Sequence, residues 1–336
     1  MANLIGEGTY GSVYRPPLQC KEKRIDDKYG NDNYVMKVST EDSIKPERNI
    51  AKILHKIDPT SKYFIYIIPI KKVNLNVNIY KIGSHVVKYN PNSDYYGYYM
   101  KYGGLTLKQY INENRNIITV DLIWSWLCKL IEALHILYDH NILHLDIKCA
   151  NIVVDQNREI RLIDFGLSNI LTENVKHNKN ILVDQFYSIY PLFYNVLYSS
   201  YSELNLIYDC LFSKNTKKNL RKLIKKLTDE IDDVELYMDT ILMPNIHKID
   251  IYCLSYIFMF YIYMEMKMKF KSENEFLSYH LKCLSLKMLE LDPDKQFNIK
   301  ECLNYQNVVN YISNTKLKDN LKNIIWIYCK GDVKGY

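Results

Sequence analysis

Three polar residues at close spacing are the part of this sequence with the clearest chemical meaning. Asp146, Lys148 and Asn151 follow His144 within one short segment. An aspartate can orient or accept the proton of an acceptor hydroxyl, a lysine can neutralise charge on a transferred phosphoryl group, and an asparagine can hold a metal ion. Asp164, which precedes Phe-Gly, is a second candidate metal ligand. Because Mg²⁺ binds one or two carboxylates together with phosphate oxygens, this spacing predicts phosphoryl transfer from a nucleotide.

A glycine-rich segment near the start of the sequence is a candidate phosphate site. Residues 6–13 read Gly-Glu-Gly-Thr-Tyr-Gly-Ser-Val and lie between two short strand patterns. The Gly-x-Gly-x-x-Gly spacing is weak evidence alone, since dinucleotide-binding turns share it. Here the chain continues as a strand rather than a helix, which favours a hairpin that folds over phosphates. Glycines let the backbone N–H groups of such a hairpin approach phosphate oxygens without a Cβ clash.

A lysine and a glutamate further along could complete the phosphate site. Lys37 lies on a predicted third strand, and Glu47 lies on the apolar face of a helix predicted over residues 46–57. An ion pair between them would hold the lysine ammonium against the α and β phosphates. Each residue alone is more often a solvated charge, but the glycine hairpin and Asp164 reverse that expectation. The interval from Lys37 to Glu47 is short, so we expect the start of the helix to be trimmed.

Composition favours a globular protein of a reducing compartment. The 336 residues are 48% hydrophobic and 24% charged, and the formal charge of +6 predicts a solvated surface with a slight lysine excess rather than a nucleic-acid site. The cysteines show no CxxC pair and no zinc spacing. No signal peptide is evident, and the apolar run over residues 251–264 is too short to span a bilayer and predicts a buried helix. We therefore expect a cytoplasmic protein without a transmembrane segment.

Secondary-structure patterns divide the sequence into a strand-rich part and a helical part. The first part shows one helix, over residues 46–57, and a polar loop over residues 21–32. Its strand patterns cover residues 2–6, 11–15, 33–39, 63–70, 77–82 and 95–102. After Gly103-Gly104 the patterns become helical, with a long amphipathic helix over residues 122–140. The sequence therefore predicts an α+β fold with a small N-terminal lobe, residues 1–102, and a larger helical lobe, residues 103–336.

Taken in order, these motifs resemble the eukaryotic-type protein kinase family. The resemblance implies a bilobal fold and the transfer of the γ-phosphoryl group of ATP, with Mg²⁺, to serine or threonine hydroxyls of protein substrates. It implies Asp146 and Lys148 as catalytic residues, and Asn151 and Asp164 as metal ligands. The implied ATP-binding residues are Ile5, Gly6, Glu7, Gly8, Thr9, Tyr10, Gly11, Ser12, Val13, Val35, Lys37, Glu47, Met100, Lys101, Tyr102 and Val153. Among them, residues 101–103 correspond to the adenine-binding hinge.

Two later segments and the composition extend the resemblance. Residues 250–255 resemble the buried family helix whose aspartate braces the catalytic loop, and residues 289–293 resemble a motif of a late helix. The run Arg-Pro-Pro-Leu at residues 15–18, with the many tyrosines and asparagines, looks most like kinases encoded by large DNA viruses. That narrower resemblance implies the host cytoplasm or the virion as the location.

The sequence departs from the family pattern at positions linked to regulation. Leu145 stands where the family has an arginine that pairs with a phosphorylated activation segment, so we expect activity that does not depend on such phosphorylation. No Ala-Pro-Glu motif ends the activation segment, and Pro191 and Pro244 are alternative ends. Neither proline is followed by the glutamate of that motif. Gln296 stands where the family has the arginine that pairs with this glutamate. Loss of both partners is coherent, because losing one alone leaves an uncompensated buried charge.

If Pro191 ends the activation segment, roughly residues 197–242 form an insertion. Its basic stretch, residues 214–227, has one apolar helical face, which favours a solvated amphipathic helix over contact with an acidic partner or surface. Two other functions compete with a serine/threonine protein kinase. A pseudokinase scaffold would bind nucleotide without transferring phosphate, and a small-molecule kinase would share the Asp and Asn arrangement. Lys148, the full glycine segment and the helix at residues 250–255 argue against the small-molecule kinase.

Overall fold

The computed structural model describes residues 2–8, 11–19, 21, 27–68, 73–74, 94–171, 243–264, 274–290 and 294–314. Contacts divide the chain into two units, residues 1–113 with 142–170, and residues 114–141 with 171–336. The boundary expected after residue 102 stays a prediction. Several predicted features lie outside the described residues: the strand at 77–82, Pro191, the insertion at 197–242 with its basic stretch, and the hairpin tip at Thr9 and Tyr10.

A five-stranded antiparallel sheet organises the first unit. Its strands run in the spatial order β1-β2-β3-β5-β4, so β3 lies at the centre. The strands are β1 (Asn3–Gly8), β2 (Gly11–Arg15), β3 (Tyr34–Thr40), β4 (Val73–Asn74) and β5 (Tyr95–Lys101). Glu7 pairs with Ser12, Val13 with Lys37, and Val35 with Met100. This register confirms the strands predicted at 11–15, 33–39 and 95–102 to within two residues.

The outer face of this sheet is buried by the connection between β2 and β3. Alternation along the strands puts Tyr14, Met36, Val38 and Tyr99 on one face, and all four side chains are buried. Leu18 packs among them, and Tyr29 packs against the cluster from one helical turn at residues 27–29. The segment expected to be a simple polar loop therefore contributes an aromatic residue to a core.

Helix α1 (Glu41–Ile57) begins earlier than expected, directly after β3. Thr40 is its N-cap and accepts a hydrogen bond from the Ser43 N–H at 3.3 Å, and two acidic residues lie in the first turn. The buried residues, which recur at helical spacing on one face, are Ile44, Glu47, Ile50, Ala51 and Leu54. The strand thus passes into the helix without a loop, which is how the short interval between Lys37 and Glu47 is accommodated.

The continuous strand expected over residues 63–70 is wrong for the part that the structure describes. Phe64 forms a single bridge to Leu162, and Ile67 forms a single bridge to Met100. The segment therefore joins two different sheets instead of pairing along one strand. The four residues at its centre, residues 64–67, are buried.

The remainder of the first unit carries the predicted catalytic segment. Its elements are β6 (Leu105–Thr106), α2 (Leu107–Asn114), β7 (Ile142–Leu143), a 3₁₀ turn (Cys149–Asn151), β8 (Ile152–Val154), β9 (Ile160–Leu162) and β10 (Asn169–Ile170). Strands β6, β8 and β9 form a three-stranded antiparallel sheet, while β7 pairs with β10. The pairing of β7 with β10 brings the residues that flank the catalytic segment back together.

The described part of the second unit is helical. It contains α3 (Val120–Asp139), a 3₁₀ turn (Met243–Lys248), α4 (Ile249–Tyr256), a π-helical stretch (Ile257–Met264), α5 (Glu275–Met288) and α6 (Ile299–Asn314). Residues 251–264 are helical as predicted, and those whose burial is described are almost all buried. Among the described residues, no helix combines the length and apolar character that crossing a membrane requires. The antiparallel sheet followed by helices confirms the predicted α+β class.

Gln296 is buried where the family resemblance expects an arginine. Its Nε2 donates to the Met288 carbonyl at 2.8 Å and approaches the Lys248 carbonyl at 3.4 Å. A neutral amide therefore serves backbone carbonyls here, and no counter-charge is needed to offset the burial.

Candidate active site

Lys37 is the charged centre of the candidate site. Its Nζ lies 2.6 Å from Glu47 Oε2 and 3.0 Å from Asp164 Oδ1. The lysine comes from β3, the glutamate from α1, and the aspartate from the turn after β9, so one ammonium joins three elements. The side chains of Lys37 and Glu47 are 8% and 2% exposed, whereas that of Asp164 is 40% exposed.

The electrostatics favour the charged forms of Lys37 and Asp164. Burial opposes the charged form of Lys37, but the two carboxylates outweigh it and raise the pKa of the lysine. Burial likewise opposes ionisation of Asp164, but the ammonium of Lys37 outweighs it and lowers the pKa of that carboxyl. The site therefore offers a fixed ammonium and an ionised, partly exposed carboxylate at neutral pH.

The predicted catalytic residues form a second hydrogen-bonded cluster. Asp146 Oδ2 accepts from Lys148 Nζ at 2.7 Å and from Asn151 Nδ2 at 2.7 Å. Asn151 Nδ2 also donates to the Asp146 carbonyl at 2.9 Å. These bonds fix one carboxylate oxygen of Asp146, so the other oxygen is the one available to a proton. They also use only the nitrogen of the Asn151 amide, whose oxygen is the atom that a metal takes.

His144 supports the catalytic segment, a role that the sequence analysis missed. Its Nδ1 accepts from the Asp146 N–H at 3.3 Å, so the ring proton is assigned to Nε2, which donates to the Ile163 carbonyl at 3.1 Å. The Ser168 hydroxyl donates to the His144 carbonyl at 3.1 Å. The signal available in the sequence was the position of His144 immediately before Leu-Asp. In the structure this histidine is fully buried.

The two candidate metal ligands are linked through the backbone. The Ile163 N–H donates to the Asn151 carbonyl at 2.9 Å, which places the residue before Asp164 beside the 3₁₀ turn. Phe165 is fully buried, and its ring centroid lies 4.9 Å from that of His144. Asp164 itself has a φ of +63°, a left-handed conformation next to the buried Phe165.

The glycine segment forms the predicted hairpin. Gly8 pairs with Gly11 across a two-residue tip. Gly11 has a φ of +148°, and a Cβ there would lie 2.3 Å from the Val38 carbonyl oxygen. Ser12 is fully buried with its side chain on the outer sheet face, so only its backbone could meet a nucleotide. Ile5 is 48% exposed at the outer strand of the sheet.

Three of the expected ATP-binding residues lie on the sheet face that carries Lys37. Val13, Val35 and Met100 share that face by register. Val153 lies against the hinge, because a Cβ on Gly103 would be 2.6 Å from Val153 Cγ2. The structure thus brings together the expected strand, hinge and β8 residues within one unit.

A metal would need ligands from the nucleotide at this site. Across the described residues, no three His, Cys, Asp or Glu side chains converge to hold a metal ion. Asp164 and Asn151 supply one carboxylate and one amide oxygen, a set that fits Mg²⁺ when phosphate oxygens complete its coordination. The fixed ammonium of Lys37 beside Asp164 fits the same phosphates.

The first unit thus carries a buried lysine–glutamate pair, an aspartate held by lysine and asparagine, and a glycine hairpin, which is the arrangement that the resemblance to protein kinases predicts. Comparison with known families agrees, since residues 1–190, more than half of the chain, match the protein kinase domain. The chain therefore belongs to the protein kinase domain family.

Similar proteins carry kinase names but share limited identity. The chain is 31% identical over 171 residues to the dual specificity protein kinase zakA of Dictyostelium discoideum, covering 50% of this chain and 18% of that protein. It is 29% identical over 124 residues to the serine/threonine-protein kinase Nek3 of rice (Oryza sativa subsp. japonica), covering 35% and 21%. It is 26% identical over 171 residues to the human NUAK family SNF1-like kinase 1, covering 51% and 22%. The chain thus spans about a fifth of these relatives' length.

Proposed function

We propose that this chain is an ATP- and Mg²⁺-dependent protein kinase that phosphorylates serine and threonine hydroxyls of protein substrates. The observation that carries the proposal is the Lys37 ammonium, held at 2.6 Å from Glu47 and 3.0 Å from Asp164. Burying charged groups carries a desolvation cost, and buried charge clusters with shifted pKa values are typical of functional sites, which supports an anionic ligand at this ammonium. The same face of the sheet leads to the hinge and the glycine hairpin.

The residues of the chain divide the work of phosphoryl transfer. Lys37 would neutralise the α and β phosphates of ATP, and the backbone of the glycine hairpin would contact phosphate oxygens. Asp164 and Asn151 would hold Mg²⁺, which supplies charge neutralisation at the transferred group. ATP supplies the phosphoryl group itself.

Asp146 would receive the proton of the acceptor hydroxyl. Its Oδ2 is fixed by Lys148 and Asn151, so Oδ1 is the oxygen that accepts. The Lys148 ammonium lies 2.7 Å from this carboxylate. It would also neutralise charge on the phosphoryl group during transfer. Asp146 therefore orients the hydroxyl, and Lys148 stabilises the charge that develops.

The choice of acceptor residue rests on resemblance. By family resemblance, a lysine two residues after the aspartate, here Lys148, is typical of serine/threonine kinases. The similar rice protein Nek3 is named a serine/threonine-protein kinase. The zakA protein is named a dual specificity kinase, so tyrosine transfer is the measurement that separates the two. The narrower resemblance to kinases of large DNA viruses, with host cytoplasm or virion as location, stays a prediction.

A radiolabelled phosphate-transfer assay tests the proposal. The Asp146→Asn variant should lose activity by on the order of 10²-fold or more, because the amide cannot accept the proton. Asp139→Asn, on an exposed carboxylate of α3, is the matched control and should retain activity. Unchanged transfer by Asp146→Asn would refute the mechanism. Nucleotide binding by the wild-type protein without transfer to itself or to general acceptor proteins would instead establish the pseudokinase alternative.

A further inference from the structure

Arg15 stacks on a residue of the hinge. Its guanidinium carbon lies 3.4 Å from the centroid of the Tyr102 ring. Its Nε also donates to the Asp32 carbonyl at 3.1 Å, so the guanidinium is held from two sides. Arginine is suited to this arrangement because its planar group can stack on an aromatic face and donate hydrogen bonds in its own plane.

The stack lies on the face of the sheet that carries Lys37. Val13 pairs with Lys37, and Arg15 follows Val13 by two residues, so both side chains point to that face. Met100 lies on the same face by its pairing with Val35, and Tyr102 follows Met100 by two residues. Lys37 and the Arg15–Tyr102 stack therefore mark two ends of one surface. A nucleotide with its phosphates at Lys37 would extend its base toward Tyr102.

The connection between β2 and β3 fixes the stack from behind. The Tyr102 N–H donates to the Asn33 carbonyl at 2.8 Å, next to the residue that binds Arg15. The turn itself is closed by the Tyr34 N–H, which donates to the Asn31 carbonyl at 3.0 Å. One rigid turn thus binds both partners of the stack, which removes much of the freedom that the hinge side chain would otherwise have.

We propose that Arg15 is a positioning residue for the nucleotide, acting by holding the Tyr102 ring as a wall of the nucleobase site. The inference rests on the proposed nucleotide-binding function. Arg15 lies outside the hinge but contributes to the affinity of the site for the nucleotide. Arg15 acts through Tyr102 and takes no part in phosphoryl transfer. Its loss should therefore weaken nucleotide binding while leaving the chemical step intact.

Binding of ADP with Mg²⁺, measured by isothermal titration calorimetry, tests the inference without turnover. Arg15→Ala should raise the Kd for ADP roughly 3- to 30-fold, the range that loss of a cation–π contact permits. Arg15→Lys keeps the positive charge but lacks the planar guanidinium group, so its Kd for ADP should lie between those of Arg15→Ala and the wild type. Lys287→Ala, which removes a cation over the Phe297 ring elsewhere, is the control for charge loss.

Two further measurements separate positioning from a general loss of structure. In the transfer assay, Arg15→Ala should raise the KM for ATP and keep kcat, and its apo melting temperature should stay close to that of Arg15→Lys. The double variant Arg15→Ala/Tyr102→Ala should bind ADP no more weakly than Tyr102→Ala alone, because the two substitutions remove the same contact. An Arg15→Ala Kd within twofold of wild type, or additive losses in the double variant, overturns the inference alone. Failure of the wild-type chain to bind ADP overturns the proposed function, and this inference with it.

Discussion

Replacing Lys37 with methionine should destabilise the protein more than replacing Glu47 with glutamine. Lys37→Met leaves the Glu47 carboxylate with a 2% exposed side chain and no ammonium. Its Oε1 already has no hydrogen-bond partner in the part of the chain that the structure describes, and burial raises the pKa of this group. Breaking a buried pair from one side costs about 3–5 kcal/mol.

Glu47→Gln is milder because two interactions of Lys37 survive. The glutamine Oε1 can still accept from the ammonium, and Asp164 remains 3.0 Å away. The loss is then the charge on one hydrogen bond, about 1–2 kcal/mol. Apo protein unfolded in urea and followed by circular dichroism gives both free energies of unfolding, without any contribution from a nucleotide.

A double variant distinguishes a buried ion pair from two independent residues. Lys37→Met/Glu47→Leu removes both charges, so it should be more stable than Lys37→Met alone. The control is the partly exposed pair of Arg48 and Glu41 on the same helix, 3.6 Å apart, where Arg48→Met should cost less than about 1 kcal/mol. A double variant no more stable than Lys37→Met, or equal losses in the two single variants, would refute the assignment of Glu47 as the buried partner.

Three further predictions concern the glycine hairpin, a buried histidine and regulation. Gly11→Ala should lower the melting temperature of the apo protein and weaken ADP binding, since a Cβ would meet the Val38 oxygen at 2.3 Å. Burial lowers the pKa of His280 to about 4, so between about pH 6.5 and about pH 4 this histidine is protonated in the unfolded chain but not in the folded one. The free energy of unfolding should therefore fall as the pH drops through this window. His280→Gln should remove the part of the pH dependence that His280 contributes. Leu145 is buried and carries no charge for a phosphate, so phosphatase treatment should leave transfer activity unchanged.

Controls and contrary outcomes differ among these three. Gly6→Ala is the partner control for the hairpin, because a Cβ there makes only ordinary contact with Val13 at 3.6 Å, and equal losses at both glycines would contradict the steric argument. An unchanged pH slope in His280→Gln would show that other groups set the acid sensitivity. Loss of activity on dephosphorylation, restored by rephosphorylating the activation segment, would exclude the regulatory prediction for Leu145.

The chemistry of the site could be predicted because it depends on residue type and spacing. Lys37 and Glu47 form the ion pair that residue type and spacing predict. The contact of Lys37 with Asp164, 127 residues further along, was not predicted. The predicted start of α1 at residue 46 is wrong, because proline favours the first helical position but Pro46 here lies inside the helix. The Thr40 cap and the acidic first turn were the better signal.

Other features depend on partners that the sequence does not name. Residues 63–68 have strand-forming residue types, but a strand needs a continuous neighbour, and here the neighbour changes between Leu162 and Met100. The burial of Tyr29 depends on which sheet face the connection covers. The Arg15–Tyr102 stack likewise joins residues that only the strand register brings together. Such pairings follow from tertiary packing and not from local pattern.

Leu145 shows why the family pattern can lose a charge and keep its geometry. The residue has a φ of +60°, a left-handed conformation that costs a residue with a Cβ roughly 1–2 kcal/mol. Three hydrogen bonds hold its neighbours: His144 to the Ile163 carbonyl, the Asp146 N–H to His144, and Ser168 to the His144 carbonyl. At about 1 kcal/mol each, they offset that strain. The leucine side chain is also 3% exposed, so its burial adds stability that a charged arginine would not. The backbone that carries Asp146 is therefore held by residues other than Leu145, so a leucine at this position is compatible with the observed placement of the Asp146 carboxylate.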